Sequence, residues 1–236
     1  MINQSISKKK IALIAVLSAL VGTFSIAQAA DDDWPPKVTS DGLNLVEGTK
    51  AAAVWVLDGA DFSEYNRVMI VDVGVAFKKN WRRDYNRDQL SLGSQVSKSD
   101  AEKIKQRVAD EFKTVFTNEL TKAGYEVSNY NLDLAAHDIL VLRPAIMDLD
   151  VTAPDTGAAG TGRTFTASAG AMTLYLEFYD SVTSALLGRV VDRKADRGST
   201  WSMSNRVTNK ADADRIFRKW AGLLIAKMDS VMGKDE

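Results

Sequence analysis

Residues 169–194 read AGAMTLYLEFYDSVTSALLGRVVDRK, and this stretch decides the fold. Apolar side chains stand at every second position from Met172 to Phe178, which is typical of a strand that buries one face. The other positions, predicted to point outward, are Thr173, Tyr175, Glu177 and Tyr179. Asp180–Ala185 can turn the chain and Leu186–Lys194 can return as a partner strand, so the stretch predicts an antiparallel hairpin.

Four further strands are predicted around this hairpin. Arg67–Phe77 alternates through Met69, Val71, Val73, Val75 and Phe77 and is also apolar on its other face, which predicts one strand buried on both sides. His137–Val151 is another long strand, in which Pro144 marks an edge or a bulge because proline cannot donate to a ladder. Ala53–Leu57 and Tyr125–Ser128 are predicted as short strands.

Two amphipathic helices complete the predicted set of elements. Ser99 and Glu102 match a capping box, and apolar residues follow at three- and four-residue steps until Gly124. Asn209 can cap the second helix, whose apolar stripe runs to Gly233. The order of elements predicts an α+β fold, a mixed and mostly antiparallel sheet with two amphipathic helices packed on one face.

The N-terminus is typical of an exported protein. Lys8–Lys10 precede the apolar run Ile11–Val21, and the small residues Ala27 and Ala29 suit cleavage by a signal peptidase. The predicted organisation is a signal peptide (1–29), a flexible leader (30–41) and a single α+β domain (42–236).

Composition excludes several classes of function. The chain has 236 residues and no cysteine, which excludes disulfides, thiolate metal sites, a cysteine nucleophile and a lipidated N-terminal cysteine. Its formal net charge of −1 becomes three units more negative without the signal peptide, which argues against a nucleic-acid partner. No other apolar run approaches the roughly 20 residues that cross a bilayer, so we expect a soluble periplasmic protein without a membrane span.

Cofactor and metal motifs are weak. Gly157–Thr164 has the spacing of a phosphate-binding loop, but Arg163 replaces the lysine and no helical pattern follows. His137 is the only histidine and is best read as a polar residue at the start of a strand, since a two-histidine metal site cannot exist. We therefore expect no cofactor and no metal.

A group of acids leaves two readings open. Asp148, Asp150 and Asp155 follow one another near the end of a predicted strand, where a solvated strand end is the simpler reading and a calcium site the alternative. Paired with one another or with Glu177, they could instead serve a carboxylate-based hydrolase that acts on envelope saccharide.

The connection after the first long strand carries the candidate binding residues. Five cations and two aromatics alternate between Lys78 and Arg87 in an otherwise acidic chain. Guanidinium groups bind carboxylates and phosphates, and aromatic rings stack on sugars or cations. The candidate binding residues are Trp81, Arg82, Arg83, Tyr85 and Arg87. Their predicted partner is an envelope component or a periplasmic protein; otherwise the aromatics pack on the sheet and the cations stay solvated.

Several stretches taken together resemble the bacterial envelope family DUF3313, whose members are described as lipoproteins. They are Gly59–Ile70, Val75–Trp81, Ala153–Asp155, Ser168–Thr183 and Val191–Arg193. The resemblance extends from about Gly42 to Leu224 and implies an exported, envelope-associated protein of no established activity. The chain departs from the lipoprotein description because it has no cysteine to lipidate.

Three functions follow as hypotheses. The first is a non-catalytic periplasmic binding or accessory module, favoured by the export signal and the basic–aromatic segment. The second is the carboxylate-based hydrolase, and the third is a small oligomeric structural protein.

Overall fold

The computed structural model describes residues 34–89, 95–128, 138–151, 169–195 and 206–232. Apart from Trp34, these residues belong to one unit, Pro35–Glu236. The strands are β1 (Asn44–Leu45), β2 (Ala53–Val56), β3 (Arg67–Ile70), β4 (Gly74–Phe77), β5 (Glu126–Ser128), β6 (Ile139–Val151), β7 (Ala169–Asp180) and β8 (Leu186–Ala195). The helices are α1 (Trp81–Arg87), α2 (Lys98–Lys122) and α3 (Arg206–Met232). The α+β class is therefore confirmed.

The described strands form one mixed sheet in the order β1-β2-β8-β7-β6-β3-β5, with β4 paired to β6. The first four neighbouring pairs are antiparallel, and β3 and β4 run parallel to β6. The predicted hairpin is confirmed as β7 and β8, with Leu176 opposite Val190 and Glu177 opposite Arg189. The short strands predicted near Ala53 and Tyr125 are confirmed as β2 and β5.

The turn between β7 and β8 is organised by one carboxylate. Asp180 Oδ1 accepts hydrogen bonds from the backbone amide and the hydroxyl of Thr183, both at 2.6 Å. Tyr65 donates its hydroxyl to Asp180 Oδ2 at 3.0 Å. Burial favours the protonated acid, but these hydrogen bonds outweigh it and lower the pKa of Asp180.

The single strand predicted for Arg67–Phe77 is two strands, β3 and β4. Ile70 lies opposite Leu142, and Gly74 lies opposite Ala145. The chain therefore advances four residues from β3 to β4 while β6 advances three. The additional residue changes which face each side chain occupies. Val68 and Ile70 face the main core before the interruption, and Val73, Val75 and Phe77 pack on the same core after it.

Pro144 explains where this interruption falls. The carbonyl of Leu142 accepts a hydrogen bond from Val71 N at 3.0 Å, so the backbone groups of Leu142 point toward β3. Because backbone directions alternate along a strand, the nitrogen of Pro144 points to the same side, where the ladder between β3 and β4 is interrupted. The edge or bulge predicted at Pro144 is not found within β6, which is central in the sheet and pairs regularly with β7 there, with Pro144 opposite Leu176; the interruption lies between β3 and β4 on its other side.

The first long helix begins earlier than predicted. Ser97, not Ser99, is its cap: Ser97 Oγ accepts from the amide of Asp100 at 3.1 Å, and the Asp100 carboxylate accepts from the amide of Ser97 at 3.2 Å. Val96 and Ala101 are both buried in the main core, at the two positions that form a hydrophobic staple. The choice between two possible caps therefore depends on tertiary burial.

The last helix also begins earlier than predicted. It starts at Arg206, so Asn209 lies inside it and does not cap it. Asparagine is tolerated within a helix, so the presence of a residue that can form a cap does not determine where the helix begins. The predicted stripe is confirmed at its centre, where Phe217, Trp220 and Met228 are buried.

The main core lies between α2, α3 and one face of the sheet, as predicted. Phe112 stacks on Phe116 at 4.0 Å between ring centroids and meets Phe217 edge-on at 5.3 Å. Leu142 and Ile146 of β6 are fully buried beneath these rings. Among the described residues, no helix is long and apolar enough to span a membrane.

The opposite face of the sheet carries a small second core. It comprises Leu43, Ala53 and Trp55, and the Trp55 indole donates to the carbonyl of Pro36 at 2.8 Å. Pro36 lies in the predicted leader, so part of that segment contacts the domain. The division into signal peptide, leader and domain stays a prediction.

Candidate functional site

The predicted binding segment includes a helix, α1, that the sequence did not predict. Trp81 begins it and is 5% exposed. Its ring stacks on Phe77 at 4.1 Å with an interplanar angle of 5°, and its indole donates to the carbonyl of Val151 at 2.9 Å. Trp81 therefore anchors α1 to the sheet and offers no free ring face for stacking on a ligand.

The other end of α1 is fastened by an asparagine. The Asn86 side chain donates to the carbonyl of Val96 at 2.9 Å and accepts from the amide of Val96 at 2.8 Å. Tyr85 is half-buried and stacks on Trp81 at 5.9 Å, and its burial raises the pKa of the hydroxyl. Helix α1 is consequently held at both ends, which pre-organises the side chains on its exposed surface.

The outward side of α1 is cationic. The Arg83 and Arg87 side chains are 71% and 70% exposed, and Arg82 is partly exposed. Asp84 pairs with Arg83 at 3.1 Å, and Arg87 pairs with Asp88 at 3.3 Å and with Asp84 at 3.8 Å. Arg82 has no ion pair within the part of the chain that the structure describes. Exposed pairs of this kind contribute about 1 kcal/mol or less, so an incoming anion can replace them. We call Arg82, Arg83 and Arg87 the α1 arginines.

Glu177 is not brought together with Asp148 or Asp150, the other described acids considered for hydrolysis. Glu177 lies opposite Arg143, whereas Asp148 and Asp150 are five and seven residues further along β6. At about 3.3 Å per residue these steps correspond to roughly 17 and 23 Å. Glycosidase carboxyl groups are about 5–9.5 Å apart, so Glu177 cannot work with either. Asp148 is exposed, and Asp150 pairs with Lys78 at 3.2 Å.

Glu177 lies in a cluster that the sequence analysis missed. It was predicted to point into solvent, but it is 4% exposed. Tyr179 and Tyr175 donate their hydroxyls to it at 2.8 and 3.3 Å, and Arg189 Nη2 donates at 2.8 Å. The spacing of residues in the sequence could have revealed this cluster. Two tyrosines flank Glu177 on the same face of β7, and Arg189 lies opposite Glu177 in the hairpin.

The chemistry of this cluster is that of a fixed carboxylate. Burial raises the pKa of Tyr175 and of Tyr179, so both hydroxyls keep their protons and continue to donate. Arg189 also bonds to Asp41, and the Arg143 guanidinium approaches Glu177 at 4.0 Å. Glu177 is therefore fixed in position by one guanidinium and two hydroxyl donors.

A cavity of about 710 Å³ opens between the C-terminal half of α3 and the sheet. The cavity is not predictable from the sequence, because its walls use the same apolar stripe and alternating strand positions that fill the core. The sheet contributes Val54, Leu174, Leu176, Phe178 and Val190; α3 contributes Trp220, Leu223, Leu224, Met228 and Val231.

One buried acid lies in the cavity wall. Asp192 is 3% exposed and accepts hydrogen bonds from the Trp220 indole at 2.7 Å and from the amide of Ala52 at 3.1 Å. Lys194 Nζ lies 2.5 Å from Asp192 Oδ2, the same oxygen that accepts from the Trp220 indole. These three donors satisfy the carboxylate within the protein.

Several predicted features lie outside the described residues. They are His137, Asp155 and the loop Gly157–Thr164. In the described ranges, no group of three or more histidine or acidic side chains could hold a metal ion.

Comparison with known proteins gives a family but no activity. A family model described as "Protein of unknown function (DUF3313)" matches residues 37–224, and no curated protein matches the chain significantly. A PelC dodecamer from Paraburkholderia phytofirmans matches at 13% identity over 72% of this chain and 96% of that chain, with a TM-score of 0.38. A DUF330 protein from Xanthomonas campestris matches at 11% identity over 70% and 87%, with a TM-score of 0.37. Similarity this distant carries no inference about function.

Proposed function

We propose that this chain, which belongs to the DUF3313 family of proteins of unknown function, is an exported, non-catalytic module that binds an anionic component of the cell envelope through α1. Its working compartment is the periplasm, reached after removal of the signal peptide. Lipopolysaccharide, peptidoglycan and acidic periplasmic proteins all present phosphate or carboxylate groups of the kind that guanidinium binds.

The observation that carries the proposal is the way α1 is fastened. Trp81 and Asn86 fix the helix through the hydrogen bonds to Val151 and Val96. Among the α1 arginines, Arg83 and Arg87 are largely exposed and Arg82 is partly exposed. Arginines on a rigid support lose less conformational entropy on binding than the same residues on a flexible loop. Of the predicted site residues, Trp81 supports the surface and the α1 arginines contact the ligand; Tyr85 fills the space between.

A hydrolase is not favoured by this geometry. Glu177 lies too far from Asp148 and Asp150 along the sheet and is committed to Arg189, and Asp150 is paired with Lys78. The binding module accounts for the same residues without a catalytic group.

The direct test removes the α1 arginines together as Arg82→Ala, Arg83→Ala and Arg87→Ala. We expect the parent protein to co-sediment with purified peptidoglycan or with vesicles that contain lipopolysaccharide, and to release as salt screens exposed charges. The triple variant should bind at least tenfold more weakly with an unchanged circular dichroism spectrum.

A matched control removes three exposed lysines of α2 and α3, as Lys98→Ala, Lys113→Ala and Lys219→Ala. This variant changes the net charge by the same amount and should bind like the parent. Equal binding by both variants contradicts a role for α1, because it leaves only non-specific charge attraction. Fractionation tests export separately: the full-length chain retained in the cytoplasm would contradict it.

A further inference from the structure

We propose that the cavity between α3 and the sheet is a second binding site, which takes the hydrocarbon portion of an uncharged amphiphile with a hydroxylated head group. Its volume of about 710 Å³ lies in the range of small-molecule sites, roughly 300–1,000 Å³. The site uses none of the α1 residues, so it stands or falls independently of the α1 surface.

The cavity is long enough for an extended apolar group. Its α3 wall runs from Trp220 to Val231, which are 11 residues apart and therefore separated by roughly 16 Å at about 1.5 Å per residue. Its sheet wall crosses four adjacent strands, from Val54 on β2 to Leu140 on β6. Removing hydrocarbon from water against such walls is favourable, whereas a polar group placed there would lose its hydration without a new partner.

The charged group in the wall is compensated within the protein. The Asp192 carboxylate lies 2.5 Å from the ammonium of Lys194, which cancels its formal charge. It also accepts hydrogen bonds from the Trp220 indole and from the amide of Ala52. An apolar group can therefore enter the cavity without separating Asp192 from a partner or covering an unpaired charge.

The charges at the opening of the cavity cancel. The exposed charged residues that line it are Lys50, Lys227, Glu47 and Asp61. Hydrogen bonds from the hydroxyl and amide of Ser63, at 2.6 and 2.8 Å, lower the pKa of Asp61, so its carboxylate keeps its charge. Two positive and two negative groups sum to zero, so a head group of either sign gains no net attraction there while it loses part of its hydration.

Hydroxyl groups match the polar atoms at this opening. The ammonium groups of the two lysines only donate hydrogen bonds, and ionised carboxylates only accept them. The hydroxyls of Thr49 and Ser230, two further exposed residues of the lining, do both. A head group built of hydroxyls, such as glycerol or a sugar, can pair with each of these groups without bringing a charge to the opening.

The test measures binding of alkyl maltosides of increasing chain length by titration calorimetry, below the concentration at which micelles form. We expect saturable binding with an affinity that rises about fourfold for each added methylene until the cavity is filled. An alkyl carboxylate and an alkyltrimethylammonium of equal chain length should each bind at least threefold more weakly than the maltoside. Affinity that is independent of chain length would overturn the cavity as the site, and a charged ligand that binds as tightly as the maltoside would overturn the uncharged head group.

Two variants locate the hydrocarbon. Leu223→Trp fills the cavity and should reduce maltoside affinity at least tenfold. Ala226→Trp, at an exposed position of the lining, narrows the opening without altering the core and should reduce the affinity at least fivefold. Lys219→Trp places the same ring at an exposed position of α3 outside the lining and should change nothing. Either lining variant, folded by circular dichroism and binding like the parent, overturns the site.

A charge variant locates the head group. Lys227→Glu makes the opening more negative by two charges, so the alkyltrimethylammonium should then bind at least fivefold more tightly than the carboxylate, with maltoside binding unchanged. Lys219→Glu makes the same change of charge outside the lining and should leave the two charged ligands as they are in the parent. A Lys227→Glu variant that shows no preference for the ammonium overturns the placement of the head group at this opening.

Discussion

Replacing Arg189 by methionine should destabilise the protein strongly. The Arg189 side chain is 13% exposed, and its partner Glu177 is 5% exposed, so the ion pair lies almost out of water. Arg189 donates to Glu177 from Nε at 3.2 Å and from Nη2 at 2.8 Å, and it covers the Tyr175 ring at 5.2 Å. Methionine retains much of the volume but leaves the carboxylate without its main cation.

The magnitude follows from what remains around Glu177. Breaking a buried ion pair by removing one partner costs about 3–5 kcal/mol. Two tyrosine hydroxyls still donate, and Arg143 stands at 4.0 Å, so we expect the lower end, about 3 kcal/mol. For a domain of this size each kcal/mol lowers Tm by about 2–4 °C, so the Tm should fall by about 6–12 °C.

The assay is urea unfolding followed by circular dichroism. Arg83→Met is the matched control, because the Arg83 side chain is 71% exposed and its ion pair should contribute less than about 1 kcal/mol. The double variant Glu177→Gln and Arg189→Met should be more stable than Arg189→Met alone, because no unpaired buried charge is left. A loss below about 1 kcal/mol for Arg189→Met, or a double variant less stable than the single one, would refute this account of the cluster.

Three further outcomes are expected. Ser97→Ala should cost about 1 kcal/mol in urea unfolding while Ser99→Ala costs nothing measurable, since only Ser97 caps α2; equal losses would contradict the assigned cap. Gly222→Ala should stabilise the protein by about 0.5–1 kcal/mol, because Gly222 is exposed in α3 with open space where a Cβ would stand; a loss of stability would contradict this. Tyr65→Phe should raise the pKa of Asp180 in an NMR titration by removing one of the hydrogen bonds that lower it. The stability that Asp180 contributes, present above the ordinary aspartate range and lost as pH falls through its lowered pKa, should then shrink; an unchanged titration would show that this bond does not set the pKa.

The local sequence pattern was sufficient to predict the hairpin of β7 and β8, but it was not sufficient to predict β3 and β4. The alternation in β7 identifies the positions that face the helices, from Met172 to Phe178, although it does not reveal that Glu177 on the other face is also buried. The division of Arg67–Phe77 into β3 and β4 depends instead on Pro144, which is distant in the chain and interrupts the ladder from the neighbouring strand. A period of two carries no information about an interruption imposed by another strand.

The candidate site shows the same limit. Composition identified a cationic and aromatic segment, and the exposed arginines agree with that description. The role of Trp81 could not be read from it, because its indole donates to the carbonyl of Val151, which lies 70 residues away. A tryptophan among arginines has the same local sequence whether its ring faces a ligand or the core, and only tertiary contacts distinguish the two.

The two buried acids of β7 and β8 have a structural role that explains them without catalysis. Glu177 faces away from the helices and lies opposite Arg189, whereas Asp192 faces α3 and meets Trp220. A slip of one residue between β7 and β8 would move one strand's side chains to the other face and separate Glu177 from Arg189. Such a slip would leave a buried charge unpaired, at a cost of several kcal/mol. The Glu177–Arg189 pair therefore helps to fix the register of the hairpin, and that register places Leu174 and Val190 in the wall of the cavity between α3 and the sheet.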